Sequence, residues 1–358
     1  MMQRNKQEQV ESSLRLDSLV STENCMAEQF SPSYVVELQK ACDFVRACNN
    51  VLVVSHVQPD GDAISSTLVI GWLLRRWNKT FKMVNENGVP HRLRYLSMSE
   101  VVRSYADEEE RHSQLTYDMV ICVDCADYSR IGKIAQWVAQ DARILNIDHH
   151  PTNDHYGEVA LIREDAAATA EILFDMLQVS GEELDSEVAT MLYTGILTDT
   201  GGFRYSNTTP HVMAIASQLL KHGVDGNDIA DRLLEKMSMP QVQLIKRGLS
   251  RLSFTPDQKI GWLYISPEDM IDTGALSEDL EGLVNYPRNI EGVEVGLLFK
   301  QVDETGVKVS MRSAGRVNVA EIAQHFGGGG HVVAAGCKIN GQLHDVITMV
   351  VERVNQSL

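Results

Sequence analysis

Residues 51–66 read VLVVSHVQPDGDAISS, and this stretch sets the expected fold. Its first five residues, VLVVS, are an apolar run of strand length, and the apolar spacing over residues 64–77 predicts a helix. A strand, a short loop and a helix in this order begin a βαβ unit. The loop at the carboxyl end of such a strand is the usual place for ligand-binding side chains.

The same alternation continues on both sides of this stretch. An amphipathic helix is expected over residues 34–48, and strand-like runs recur at 81–85, 119–124 and 143–147. Helical patterns dominate after residue 165. The sequence therefore predicts an α/β fold whose parallel sheet has helices on both faces.

The C-terminal third predicts a second, smaller α/β unit. Strands are expected at 260–265, 293–300 and 307–312, and helices at 319–326 and about 344–355, after a connecting helix within 240–252. A chain of 358 residues fits this two-domain division. The expected organisation is a flexible N-terminal extension (1–33), a parallel-sheet domain (34–236), a helical linker (237–254) and the smaller domain (255–358).

Composition excludes several classes of protein. The chain carries 49 acidic and 32 basic residues, a formal net charge of −17, so it lacks the positive field that holds long duplex nucleic acid. We find no apolar run long enough to span a bilayer and no signal-peptide pattern. Six cysteines are too few for a disulfide framework, and the Cys122–Cys125 pair fits a buried strand better than a zinc or redox site. These features predict a reduced, cytoplasmic protein with no membrane partner.

Acidic and imidazole side chains follow the predicted strands at the ends where ligands usually bind. They are His56, Asp60, Asp62, Asp124, Asp148, His149 and His150, and Asp199 follows an apolar helix. Each has an ordinary alternative, such as a turn, a helix cap or an exposed His pair. Taken together, imidazoles and carboxylates without thiolates favour Mn²⁺, with Mg²⁺, Co²⁺ or Zn²⁺ as alternatives. Eight such groups exceed the needs of one ion, so the sequence predicts two ions sharing a carboxylate.

Four of these segments resemble the motifs of the DHH phosphoesterase superfamily: HVQPDGD, VICVDCAD, NIDHHPTN and TGILTDTGGF. The later segment RSAGRVNVAEIAQHFGGGGHVVAAG is similar to the DHH-associated domain and its GGGH motif. Over residues 34–358 the chain looks most like the bacterial oligoribonuclease and pAp phosphatase group. The resemblance implies a DHH domain that binds metal and a DHH-associated domain that binds substrate.

The resemblance also implies a role for each motif residue. The implied ligands are His56 and Asp60 for a first Mn²⁺ ion, Asp62, His149 and Asp199 for a second, and Asp124 for both. His150 is then the active-site histidine beside the scissile phosphate, and Asp148 orients a neighbouring side chain.

The second domain is expected to recognise substrate. In the run Gly327–Gly330, the backbone of Gly328, Gly329 and Gly330 can approach a phosphate closely, although such a run is also typical of a hinge or plain loop. The other expected substrate contacts are Arg312, Ser313 and His331, with Asn285 and Arg288 as candidates that fit a surface turn equally well.

The function implied is hydrolysis of short RNA to mononucleotides and removal of the 3′-phosphate of adenosine 3′,5′-bisphosphate (pAp). The expected partners are these two substrates, with a second copy of the chain as a candidate and no long duplex nucleic acid. Two enzymatic alternatives remain, a hydrolase of linear dinucleotides from cyclic-dinucleotide turnover and a RecJ-like single-strand exonuclease. A non-catalytic nucleotide-binding module is the alternative outside enzymes.

Overall fold

The structure is a computed structural model that describes residues 30–47, 49–108, 117–303 and 305–358. Residues 1–29, most of the expected N-terminal extension, lie outside the described residues. Helix α1 already begins at Pro32. Across the described parts of the chain, the helices are all too short or too polar to cross a membrane.

The first sheet has six parallel strands in the order β3-β2-β1-β4-β5-β6. Its strands are β1 (Val51–Val54), β2 (Phe81–Asn85), β3 (Arg103–Ser104), β4 (Tyr117–Val123), β5 (Val138–Asp148) and β6 (Val159–Ile162). The chain runs outward from β1 to β3 and then returns to place β4 on the other side of β1. The carboxyl ends of β1 and β4 therefore flank the point where the strand order reverses, which is where α/β sheets bind ligands.

Most helices of the first unit lie on one side of this sheet. The helices of this unit are α1 (Pro32–Ala47), α2 (Gly61–Arg76), α3 (Tyr105–Glu108), α4 (Thr169–Ser180), α5 (Ser186–Asp199), α6 (Pro210–Lys221) and α7 (Gly226–Ala230). Val51 and Val53 face the core formed with α1, α2 and α4–α6, whereas Leu52 and Val54 face the opposite side. Burial on both faces explains the continuous apolar run that marked this strand in the sequence.

The opposite face carries the short helix α3, through Tyr105, in place of the longer helices found on the first side. Among the described residues, it packs mainly against a 3₁₀ segment, Tyr128–Trp137, through Ile131, Ile134 and Trp137. Gly132 interrupts the helical geometry with a positive φ of 66°. A short, broken 3₁₀ segment has no regular apolar period, so sequence spacing does not reveal it.

A second six-stranded sheet forms the C-terminal unit, in the order β11-β12-β10-β9-β8-β7. Its strands are β7 (Ser253–Phe254), β8 (Ile260–Ile265), β9 (Val295–Gln301), β10 (Gly306–Ser313), β11 (Gly329–His331) and β12 (Ala334–Asn340). The accompanying helices are α8 (Met239–Leu249), α9 (Pro267–Thr273), α10 (Asn285–Arg288), α11 (Val319–His325) and α12 (Leu343–Asn355). Only β8 and β9 pair in parallel.

Both faces of the second sheet are used. Val295, Leu297 and Phe299 of β9 pack with α11 and α12, while Leu298 packs with Leu244 of α8 on the other face. The helices α8–α10 cover that second face mainly over β8 and β9. Over β10 and β12 this face is turned toward the first unit, and it forms one wall of a cleft.

Candidate active site

The first group of side chains follows strand β1. His56 Nδ1 lies 2.8 Å from the Val57 carbonyl oxygen. Its Nε2 atom therefore faces two carboxylates, at 3.5 Å from Asp124 Oδ2 and 3.9 Å from Asp60 Oδ2. The other oxygen of Asp60 accepts hydrogen bonds from backbone N–H groups that begin α2. Asp60 thus caps a helix, as one interpretation of the sequence held, and still offers an oxygen to the centre.

Asp124 follows β4 and lies in the middle of the cluster. Its Oδ1 atom is 3.6 Å from His149 Nε2 and 3.7 Å from His150 Nδ1, and it accepts a hydrogen bond from Thr169 Oγ1 at 3.0 Å. Burial opposes ionisation, but the hydrogen bond with His56 and the charges of the neighbouring histidines hold the pKa of Asp124 below its usual range. The Asp124 carboxylate is therefore ionised. Its Oδ2 atom faces His56, and its Oδ1 atom faces His149 and His150.

His149 is oriented by a backbone carbonyl. Its Nδ1 atom lies 3.2 Å from the Ala166 oxygen, which leaves Nε2 pointing at Asp124 and at Asp199 Oδ2, 3.2 Å away. Nε2 is buried and has no hydrogen-bond partner of acceptable geometry. A buried imidazole nitrogen aimed at carboxylates without a hydrogen bond is the arrangement of a metal ligand, whose other ring nitrogen is fixed by the protein.

Asp148 and His150 form a separate pair beside the cluster. Asp148 Oδ1 lies 2.8 Å from His150 Nδ1, and its Oδ2 accepts a hydrogen bond from Asn153 Nδ2 at 2.7 Å. Asp148 is fully buried at the end of β5. Because its Nδ1 atom is engaged by Asp148, His150 is left with Nε2 for any other contact.

Two further carboxylates complete the cluster. Asp62 is fully buried, and both of its oxygens accept backbone hydrogen bonds, from Thr169 at 2.6 Å and Ala170 at 3.0 Å. Asp199 ends helix α5. Burial and the nearby carboxylates raise the pKa of both, that of Asp199 to about 6. Bound cations would neutralise the negative charge of these clustered carboxylates.

The donor atoms fit a pair of divalent ions. Among the described residues, four groups of potential ligand atoms lie within 4.8 Å of one another. Two of them, His56–Asp60–Asp124 and Asp62–Asp124–His149, match the expected ion sites and share Asp124. The other two, Asp124–Asp148–His150 and His149–His150–His331, include the His150 ring. Asp199 joins the second expected ion site through its contact with His149. Oxygen and imidazole donors without thiolate suit hard or borderline divalent ions.

A cleft of about 1620 Å³ separates this cluster from the second unit. The His331 ring stacks on His150, with ring centroids 4.6 Å apart and planes inclined by 23°, and lies 5.1 Å from the His149 ring. Burial, followed by the charges of these two histidines, lowers the pKa of His331 to about 3. Arg312 also lines the cleft, where burial lowers the pKa of its guanidinium. The cleft exceeds the volume of ordinary small-molecule pockets.

The second half of the glycine run forms a strand, and the first half is the turn that leads into it. Gly329, Gly330 and His331 form β11 and pair with β12. A Cβ atom on Gly328 would lie 2.2 Å from the Gly336 oxygen, and one on Gly330 would lie 2.5 Å from the Ala334 oxygen. A Cβ on Gly329 would meet nothing within 4 Å. Protein packing therefore requires glycine at 328 and 330, while the glycine at 329 borders open space in the cleft.

Three of the expected substrate contacts, Asn285, Arg288 and Ser313, lie in different surroundings. Asn285 lines the cleft. Arg288 lies outside the lining, and its guanidinium donates to Asn289 Oδ1 at 3.2 Å. The expectation for Ser313 is wrong, because this residue is 2% exposed and its hydroxyl accepts hydrogen bonds from Gly315 and Val317 backbone N–H groups. It stabilises a turn and faces away from the cleft.

Several groups that position the site were not found in the sequence. The Ala166 carbonyl and the Thr169 backbone act through atoms that every residue has, so residue type gives no signal. Asn153 holds Asp148 and could have been noticed as a polar side chain shortly after the His149–His150 pair. Asn207 Nδ2 donates to the backbone oxygens of Ala167 and Asp199 at 3.2 and 3.1 Å, and nothing in its sequence context marks it.

Comparison with known families covers both units. The DHH family N-terminal domain matches residues 50–196, and the DHHA1 domain matches residues 262–357. These two ranges contain the cluster of potential metal ligands up to Asp148–His150 and the cleft wall with Arg312 and His331.

Individual relatives match over most of the chain. A bifunctional oligoribonuclease and PAP phosphatase NrnA from Thermus thermophilus is 34% identical, across 91% of this chain and 96% of the relative. A protein of the same name from Bacillus subtilis is 28% identical, across 81% of this chain and 90% of its own. The crystal structure of an exopolyphosphatase-related protein from Bacteroides fragilis superposes with a TM-score of 0.79 at 26% identity, covering 89% of this chain and 95% of that one.

Proposed function

Because this chain belongs to the DHH family of metal-dependent phosphoesterases, we propose that it hydrolyses short RNA to mononucleotides and removes the 3′-phosphate of pAp. Its similarity to oligoribonuclease and PAP phosphatase relatives over nearly their whole length supports these substrates. The observation that carries the proposal is the pair of ligand groups sharing Asp124, which face Arg312 and His331 across one cleft.

The proposed cofactor is a pair of divalent ions, with Mn²⁺ preferred. His56, Asp60 and Asp124 would hold the first, and Asp62, Asp124, His149 and Asp199 the second. Bound ions supply Lewis acidity to the attacking water and neutralise charge on the phosphate. The mixed imidazole and carboxylate donors are consistent with Mn²⁺.

The side chains around these ligands have distinct proposed tasks. Asp148 fixes the His150 ring through Nδ1, so that His150 directs Nε2 at the phosphate and delivers a proton to the departing oxygen. Arg312 binds a non-bridging phosphate oxygen or the phosphate of a terminal nucleotide. His331 closes over His150, and Gly329 leaves room for the phosphate to approach the backbone.

The proposed domain boundaries are those expected from sequence: 34–236 for the metal-binding domain, 237–254 for the linker and 255–358 for the substrate-binding domain. Helix α8 and strand β7 lie within the proposed linker, and both also pack with the second unit. A cytoplasmic location and a homodimer stay predictions.

The decisive experiment is a time course with the purified full chain. End-labelled RNAs of two to five nucleotides, their DNA equivalents and pAp are incubated with Mn²⁺ and with chelator, in parallel with Asp124→Asn. We expect metal-dependent release of mononucleotides and of phosphate from pAp, and loss of both in Asp124→Asn. The exposed acid Asp154 in the loop after β5 gives a matched control, Asp154→Asn, which should retain activity. Hydrolysis in chelator equal to that in Mn²⁺ would contradict the proposal.

A further inference from the structure

Three lysines stand directly opposite one another on adjacent strands of the second sheet. Lys308 of β10 is in register with Lys300 of β9 on one side and with Lys338 of β12 on the other. We call these residues the lysine row. Like charges directly opposite on neighbouring strands destabilise a sheet. Folding alone therefore gives no reason for three cations in this row.

The lysine row lies on the face of the sheet that forms the cleft wall. Val307, Val309 and Met311 of β10 are buried in the core with α11 and α12. Because side chains alternate along a strand, Lys308 and Arg312 share the opposite face. Both residues line the cleft.

The lysine row and Arg312 reach different ends of the metal-ligand cluster. Lys308 Nζ donates a hydrogen bond to Gln58 Oε1, which belongs to the loop between His56 and Asp60. Arg312, in contrast, is within electrostatic reach of Asp199. Their Cα atoms are four residues apart along β10, a separation of about 13 Å. Strand β10 thus runs past the metal-ligand cluster, with Lys308 near one end of the cluster and Arg312 near the other.

The hydrogen bonds that two of these lysines donate go to neutral groups. Lys308 Nζ donates to the Gln58 side-chain oxygen. Lys300 donates to the Ser277 hydroxyl at 3.3 Å, and Lys338 has Asp303 within electrostatic reach. Desolvation, together with the charges of Lys300 and Arg130, lowers the pKa of Lys308. Lys308, Arg130 and Arg312 all line the cleft, so in a chain of net charge −17 this wall concentrates positive charge where an anion can bind.

We propose that the lysine row, assisted by Arg130, is a phosphate-binding subsite for the part of an RNA strand that lies beyond the scissile bond from Arg312. This proposal rests on the proposed function and adds a way in which the protein distinguishes RNA strands by their length. Arg130 belongs here because its backbone oxygen accepts a hydrogen bond from Val57 at 2.8 Å, beside the same loop that Lys308 contacts.

The subsite distinguishes the two proposed substrates. pAp carries one nucleoside, so it occupies the Arg312 side of the centre and offers no phosphate to the lysine row. A stacked strand advances about 3.4 Å per nucleotide, so a span of about 13 Å corresponds to about four nucleotides, and fewer when the strand is extended. Contact with the lysine row therefore begins beyond the dinucleotide and increases with length.

The test compares Lys308→Gln and the double variant Lys300→Gln/Lys338→Gln with the parent. Lys221→Gln, at the exposed end of α6, removes the same charge away from the cleft and serves as control. We measure kcat and KM for pAp, a dinucleotide and a pentanucleotide RNA over a range of salt concentrations. In a His150→Ala background with Mn²⁺, we also measure equilibrium binding of a fluorescent pentanucleotide RNA.

We expect each variant to raise KM for the pentanucleotide about three- to tenfold while changing pAp and dinucleotide hydrolysis less than about twofold. The salt dependence of pentanucleotide binding should become shallower by about 0.7 in log–log slope for each lost phosphate contact. Equal losses for pAp and pentanucleotide, or no change in any substrate relative to Lys221→Gln, would overturn the subsite. If the parent protein hydrolyses none of the three substrates, the proposed function is refuted instead. The binding measurement would still decide whether the subsite exists.

Discussion

Asp124 has a backbone φ of +53°, a left-handed conformation that residues with a side chain seldom adopt. Aspartate adopts this region more readily than most residues with side chains, at a cost of about 1 kcal/mol. It occurs directly after β4, where it turns the carboxylate among three imidazoles instead of letting the strand continue. Strain of this kind is concentrated at functional sites. The sequence marked Asp124 as a ligand by type and position, but the strain that aims it is visible only in the structure.

At the same scale, Asp148→Asn tests how His150 is oriented. An amide keeps the volume of the carboxyl group but removes the negative charge that holds Nδ1. We expect kcat for pAp to fall about 10–100-fold while KM and the bound metal change little. Steady-state kinetics with metal analysis of the purified variant measures all three.

The double variant Asp148→Asn/His150→Ala tests whether Asp148 acts only by orienting His150 or has an effect of its own. If Asp148 acts through His150, then Asp148→Asn should add almost nothing in a His150→Ala background, because the shared interaction is already lost. Additive losses in the double variant, or release of metal from Asp148→Asn alone, would show that Asp148 belongs to the metal ligands.

At the scale of single elements, the two adjacent glycines at the start of strand β11 yield a prediction. Gly328→Ala should destabilise the protein by about 1–3 kcal/mol, because the added Cβ would overlap the Gly336 backbone oxygen. Gly329→Ala should leave the free energy of unfolding within about 0.5 kcal/mol of the parent, since its Cβ meets open space. It should nevertheless raise KM for pAp, where a phosphate approaches the backbone. Urea denaturation and kinetics of both variants provide the measurements, and an unchanged KM in Gly329→Ala would remove phosphate from this position.

Asp269 at the start of helix α9 predicts acid sensitivity of the second unit. Its Oδ1 atom lies 3.0 Å from Arg247 and from Arg251, and the carboxyl group is 1% exposed. Burial opposes ionisation, but hydrogen bonds from Arg251, the Ser266 backbone and Arg247 outweigh it and hold the pKa of Asp269 below its usual range. A lowered pKa in the folded state means that the ionised carboxylate stabilises the fold above about pH 4. This contribution is lost as the pH falls further.

The measurement is the urea midpoint of the second unit between pH 7 and pH 3, for the parent and for Asp269→Asn. We expect the variant to lose about 3 kcal/mol at pH 7, because two arginines lose their buried partner. It should also lose less than the parent on acidification. Parallel pH profiles for the two proteins would assign the acid sensitivity to other groups.

The elements also show what the sequence can predict. Strands β2 and β8 have the bounds expected from the sequence, because burial of alternate or successive residues sets the pattern. The prediction that Ser313 contacts substrate is wrong because side chains alternate along a strand. Arg312 and Ser313 are neighbours in sequence but point to opposite faces of β10. The 3₁₀ segment was missed because its packing depends on the sheet it covers, and its own spacing is irregular.

For the whole molecule, ion binding should stabilise the first unit selectively. Mn²⁺ at about 100 times its Kd adds about 2.7 kcal/mol to the free energy of unfolding of the unit that binds it. This corresponds to a rise in Tm of about 5–10 °C for a domain of this size. We expect calorimetry to show a transition that Mn²⁺ shifts upward and a second that it leaves in place. Asp124→Asn should abolish the shift, and an equal shift in that variant would place the ions elsewhere.

The two-unit architecture and the order of the first sheet explain why the site was predictable in outline. Residues after β1, β4 and β5 converge because the strand order reverses between β1 and β4, so strand-end acids and histidines in the sequence become neighbours in space. The closure of the second unit over them was not predictable, since the stacking of His331 on His150 depends on how two separately folded sheets meet.

The separation of the two cleft walls along the chain has a consequence during protein synthesis. Arg312 comes 113 residues after Asp199, and β12 must be made before β10 and β11 can join one sheet. Domains fold in order as they leave the ribosome. A nascent chain therefore completes the candidate metal cluster well before it has the cleft wall proposed to bind a nucleotide. For the proposed nuclease, this order means that an unfinished copy beside messenger RNA lacks the second wall with which it would hold a strand.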